Sequence, residues 1–111
     1  MEVWFATSGL EKRLGSDKSR RRGFGDEVAH RIALRLNQLQ AASNLGVLRT
    51  LPGHWHELRE DRAGQLAVDV TANLRLVFEP ADDPVPTKKD GGLDWDRVKA
   101  VRIREVVDYH G

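Results

Sequence analysis

The chain has 111 residues, a formal net charge of +1 and no cysteine. That length suits one domain, residues 1–111, with a modest core, and the missing cysteines exclude disulfides, thiolate metal ligands and a cysteine nucleophile. The start, MEVWFATSGLEKR, has no apolar stretch behind a basic segment, and nothing approaches the roughly 18 apolar residues of a membrane span. The expectation is a cytoplasmic protein with no membrane partner.

In chain order, Glu2 to Ala6 reads as a short strand, and the polar, basic run Thr7 to Arg22 as a loop or frayed helix. Gly23-Phe24-Gly25-Asp26 then sets up a helix with Asp26 as its N-cap. Val28, Ile32, Leu36 and Leu39 follow at helical spacing and define its buried face, with Arg31 and Arg35 projecting away. The helix stops near Ser43-Asn44, a short turn runs to Leu48, and Leu51-Pro52-Gly53 breaks the chain.

Beyond the break the period changes to two. His54 to Arg59 reads as a strand; Leu66, Val68 and Val70, then Leu74, Leu76 and Phe78, alternate as an antiparallel hairpin around Thr71-Ala72-Asn73. Three of the four prolines and Gly91-Gly92 fall within residues 80–96, which read as an exposed, mobile loop. Val98 to Tyr109 is the last strand, with Val101, Ile103 and Val107 on one side. Helix first, then strands, predicts an α+β domain: an N-terminal helical segment packed on a small twisted, mainly antiparallel β-sheet.

Charge is distributed unevenly. Lys12, Arg13, Lys18, Arg20, Arg21 and Arg22 face a single acid, Asp17, and Arg97, Lys99, Arg102 and Arg104 form a second basic stretch. Between them residues 79–96 are acidic, with Glu79, Asp82, Asp83, Asp90, Asp94 and Asp96. A polyanion is attracted to the basic segments and repelled by the acidic one.

Two chemistries compete for the histidines. Two or three of His30, His54, His56 and His110 together with Asp108 offer a metal-dependent nuclease, although H-x-H matches no complete ligand spacing. The alternative is metal-free RNA cleavage, in which a 2′-hydroxyl attacks the adjacent phosphate. Histidine moves protons near neutral pH, and arginine's planar fork grips phosphate oxygens. His54, His56, Arg59, Arg62, Arg75 and Tyr109 fall on or near neighbouring strands.

The stretch LPGHWHELREDRAGQLAVDVTANLRLVFEP and the closing EVVDYH resemble the RelE/HigB group, the plasmid-maintenance killer proteins of type II toxin–antitoxin systems. The resemblance spans residues 26–79 and 98–110, and the pairing of Asp61-Arg62-x-Gly64 with Asp108-Tyr109-His110 is its most specific part. It implies a RelE-like fold and a ribosome-dependent mRNA endoribonuclease that needs no metal or other cofactor. Its partners would be the ribosome, mRNA and a cognate helix-turn-helix (HigA-like) antitoxin.

Carried over residue by residue, the catalytic set is His56, Arg59, Arg75, Asp108, Tyr109 and His110, with Arg62, His54, Arg20, Arg21 and Arg22 as substrate-binding candidates. Several positions depart from the group. Arg59 stands where a lysine is usual, so it can stabilise charge but cannot act as a base. Glu60 replaces a glycine, Leu74 an aromatic residue, and the loop 80–97 is longer and more acidic. A one-residue difference in spacing lets His54 compete with His56. These departures suggest an alternative: a catalytically weakened relative that binds antitoxin or ribosome without cleaving RNA. A free-standing DNA-binding module fits poorly, because the clear helix lacks a base-reading partner helix.

Overall fold

The computed structural model describes residues 1–108; among these, three helices lie beside a five-stranded sheet of order β1-β5-β4-β3-β2. Strand β1 (Glu2–Phe5) runs parallel to β5 (Ala100–Asp108), and the other pairings are antiparallel. The expected α+β architecture is what forms.

The segment expected as a loop or frayed helix holds two short helices, α1 (Ser8–Leu14) and α2 (Asp17–Phe24). Their caps explain them. Thr7 Oγ1 accepts from the Leu10 amide at 3.1 Å and Ser16 Oγ from the Ser19 amide at 3.2 Å, which satisfies donors that a helix start leaves open. Leu14 is fully buried and ties α1 to the core. Helix α3 (Asp26–Ala41) follows after a single linking residue. Gly25, not Asp26, occupies the cap position; its φ of 80° turns the chain sharply, and Asp26 and Glu27 sit in the first turn, where the helix dipole favours negative charge. Ala29, Ile32, Leu36 and Leu39 are buried, while Val28 packs at the margin.

The hairpin of β3 (Leu66–Asp69) and β4 (Leu74–Pro80) forms as expected. The preceding strand shrinks to β2 (His56–Glu57), because His54 and Glu60 take φ values of 58° and 57° and break the extension on either side. In β5 a register shift opposite Val77/Phe78 corrects the expected periodicity. Ile103 pairs with Phe78 and Val106 with Leu76, so Val106 joins the core, whereas Val107 pairs with Arg75 on the other face. A bulge advances the side-chain alternation by one residue.

Residues 81–99 are tied down rather than an open loop. Asp82 accepts from the Lys99 amide at 2.9 Å, Thr87 bridges Leu93, and Trp95 and Val98 are buried with the core. The apolar core lies between α3 and one face of the sheet, with Ile32, Leu36 and Leu39 meeting Leu76, Phe78 and Ile103 in one cluster.

Candidate functional site

With the helices on one side, the opposite face of the sheet carries most of the candidate side chains. One row across it runs His56, Ala67, Val77 and Glu105, the next Asp69, Arg75 and Val107, and a third Glu79, Arg102 and Trp4. Ala67 and Val77 are fully buried even though no helix covers them. Charged residues stand in the rows on either side, so this face has an apolar floor and a charged surround.

His56 is held in one tautomer. Its Nδ1 lies 2.7 Å from the His54 carbonyl, and a carbonyl only accepts, so Nδ1 donates and Nε2 is left as the proton acceptor. The His54 ring stacks on that of His56 with centroids 4.0 Å apart and restricts its swing. Trp55 points the other way into the core, edge-on to Phe78, and its indole donates to the Pro52 carbonyl at 3.3 Å.

The turn that presents these histidines is pinned from the helix. Arg35, which the helical spacing placed on the outer face, instead reaches across: Nε donates to the Asp69 carbonyl at 2.9 Å and Nη1 to the Pro52 carbonyl at 3.0 Å and to Gln38 Oε1 at 3.0 Å. Its guanidinium also lies 5.8 Å from the Trp55 ring. Burial lowers the Arg35 pKa from its ordinary value, the Asp69 charge opposes that, and Arg31 adds to it. Gly53 completes the device. Its φ is 126°, and a Cβ there would stand 2.7 Å from the Arg35 guanidinium.

The surrounding cations divide into paired and unspent. Arg62 meets Glu105 at 2.6 Å, Arg102 meets Glu79 at 2.7 Å and Arg104 approaches the same Glu79 at 3.7 Å. The Arg62–Glu105 contact is an ion pair without hydrogen-bond alignment, since the same Glu105 oxygen has no well-directed donor. Arg59 is exposed beside His56 and, among the described residues, makes no ion pair or side-chain hydrogen bond. His56 and Arg59 share a shallow cleft of about 390 Å³ with Arg49, Glu57 and Trp95. Among the described residues, no three His, Asp or Glu side chains converge to hold a metal ion.

The sequence-predicted residues are thus partly gathered. His54, His56 and Arg59 stand together, and Arg62 and Arg75 lie on the same open side. Asp108 pairs with Leu74, a residue packed on the core, so the register sets it toward the helical side, away from Arg75. Tyr109 and His110 lie outside the described residues. Arg20, Arg21 and Arg22 are on α2, which packs on α3 across the sheet from His56. Arg20 is further engaged with the Leu14 carbonyl and Asp17. Arg35, Arg49 and Trp95 escaped the sequence reading. A lone tryptophan in a polar, proline-rich stretch was the one signal available, since such a side chain seeks burial.

A solved YoeB/ParE toxin from Agrobacterium tumefaciens is similar over 98% of this chain and 99% of its own, with a TM-score of 0.54 and 12% sequence identity. The chain shares the fold of that structure. At that identity the likeness in this toxin fold is one of backbone architecture, and it leaves chemistry to the site itself. No protein-family model and no curated protein matches the chain.

Proposed function

We propose that this chain is a RelE/HigB-type toxin of a type II toxin–antitoxin system: a ribosome-dependent mRNA endoribonuclease, metal-independent and restrained by a helix-turn-helix antitoxin. The observation that carries the reading is His56, whose tautomer leaves Nε2 as a proton acceptor beside an unspent arginine, on the open face of a toxin fold.

In this scheme Nε2 of His56 takes the proton of a 2′-hydroxyl. That oxygen forms a bond to the adjacent phosphorus as the bond to the 5′-oxygen breaks, leaving a 2′,3′-cyclic phosphate. Arg59, Arg62 and Arg75 hold charge on the non-bridging oxygens. Arg59 is always protonated, so it serves electrostatically only. Tyr109 and His110, which follow β5 in the sequence, are the groups that the resemblance offers for returning a proton to the leaving 5′-oxygen.

A second reading, a relative that binds antitoxin or ribosome without cleaving, draws on one observation: Glu105 already pairs with Arg62, and Glu79 with Arg102 and Arg104, so much of the positive charge on this face is offset. Induced expression at matched levels, with growth followed and mRNA 5′ ends mapped, separates the two. Growth arrest and new 5′ ends from the wild type, both lost in Arg75→Ala and in a chain truncated before Tyr109, support the nuclease. A well-expressed wild type that leaves mRNA intact supports the binding protein.

A further inference from the structure

The cleft beside His56 contains an arginine that neither the resemblance nor the proposed chemistry uses. Arg49 leaves the short helical turn Leu45–Thr50, and its guanidinium lies 3.9 Å from the Trp95 ring centroid. Trp95 is in turn fixed at the other end: it is 4% exposed, and its Nε1 donates to Glu57 Oε2 at 2.9 Å. Glu57 is the residue after His56 on β2. A chain of contacts therefore runs from the strand that bears the histidine, through the indole, to the arginine.

Two features separate Arg49 from an ordinary surface cation. Its guanidinium is held over an aromatic ring, so part of the entropy lost on ordering a long side chain has already been given up. Yet among the described residues its side-chain donors enter no hydrogen bond or ion pair, and Glu57, the acid in the same cleft, accepts the indole N–H on Oε2. A guanidinium so held, with its N–H groups open to a cleft shared with His56 and Arg59, suits an anion with several oxygens.

We propose that Arg49, held over Trp95, is a phosphate-binding residue of this cleft, and that with Arg59 it seats a phosphodiester of single-stranded RNA next to the one cleaved. The inference rests on the nuclease reading and extends it: residues 81–97, otherwise an insertion, supply the ring that aligns a substrate contact. Trp95 is here a positioning residue.

The test uses the full chain and a 2′-O-methylated RNA decamer of mixed sequence, which binds but lacks the attacking hydroxyl. Anisotropy titrations over a range of salt compare the wild type with Arg49→Met and Arg49→Lys, and thermal melts confirm that each variant folds. Loss of a charge-assisted contact predicts that Arg49→Met binds about tenfold or more weakly. Its plot of log affinity against log salt should be shallower by about 0.7, the value for one phosphate on a single strand. Arg49→Lys should keep the slope while losing affinity, because a point charge replaces the aligned fork. In Trp95→Phe the slope persists and affinity falls in part.

A folded Arg49→Met with wild-type affinity and slope overturns the inference while leaving the nuclease reading intact. If the wild type does not bind the free decamer, mapped mRNA 5′ ends in cells decide. Cleavage by Arg49→Met equal to the wild type overturns the inference alone. No cleavage by the wild type removes the nuclease reading and the inference with it.

Discussion

His54 and Glu60, the two non-glycine residues at positive φ among those described, stand on either side of β2, and each carries a consequence. For an L-residue the left-handed region costs roughly 1–2 kcal/mol, whereas glycine enters it freely but loses about 0.5–1 kcal/mol more in chain entropy. Glu60→Gly should therefore stabilise the fold by about 0.5–1 kcal/mol, read as a higher urea midpoint with an unchanged slope. His54 contributes its carbonyl as well as its ring, and only the carbonyl sets the His56 tautomer. On the proposed nuclease reading, His56→Gln should then lower cleavage by about 10²–10⁴-fold, the usual share of one general base. His54→Asn, which tolerates positive φ and keeps the carbonyl, should cost far less. A ranking in the reverse order would assign the base to His54.

At the level of elements, α1 and α2 have seven and eight residues, too short to persist by propensity alone. Their caps carry a correspondingly large share. Thr7→Ala and Ser16→Ala should each cost about 1 kcal/mol, with the loss appearing in thermal melts, and Thr7→Ser should recover most of the first. These helices also show where the sequence was legible. The four-and-three spacing of Ile32, Leu36 and Leu39 announced α3, and the alternation through Val68 and Leu76 announced the hairpin. The run Lys12 to Arg22 hid α1 and α2 because its charges obscure any apolar stripe; the serine and threonine caps were the visible clue. The β5 bulge has no glycine to mark it, so the side of Val107 could be read only from the pairing. Arg35 misled for a related reason. It lies at the flank of the buried stripe, where a long side chain can turn inward over Trp55 while its backbone position still looks exposed.

On the scale of the whole molecule, the sheet separates two charged surfaces that the sequence presented as one basic population. Position along the chain could not tell them apart, since Arg22 and Arg62 differ only in which side of the sheet their elements occupy. The separation has a measurable signature. Arg21 and Arg22 are exposed on α2, across the helical layer and sheet from His56, in a body whose shortest dimension is 26 Å. Charges on opposed surfaces are screened at 0.15 M ionic strength, where the Debye length is about 8 Å. The double substitution Arg21→Glu, Arg22→Glu should accordingly slow RNA association at low salt through the net field, and that deficit should vanish as salt rises. Arg59→Glu places one such charge reversal inside the cleft, where on the proposed nuclease reading it repels the phosphate directly, so its deficit should persist at every salt concentration that permits binding. Stopped-flow association of the labelled decamer across a salt series reads both. If the α2 deficit outlasts screening, RNA touches the helical side, and the open face is not the sole nucleic-acid surface.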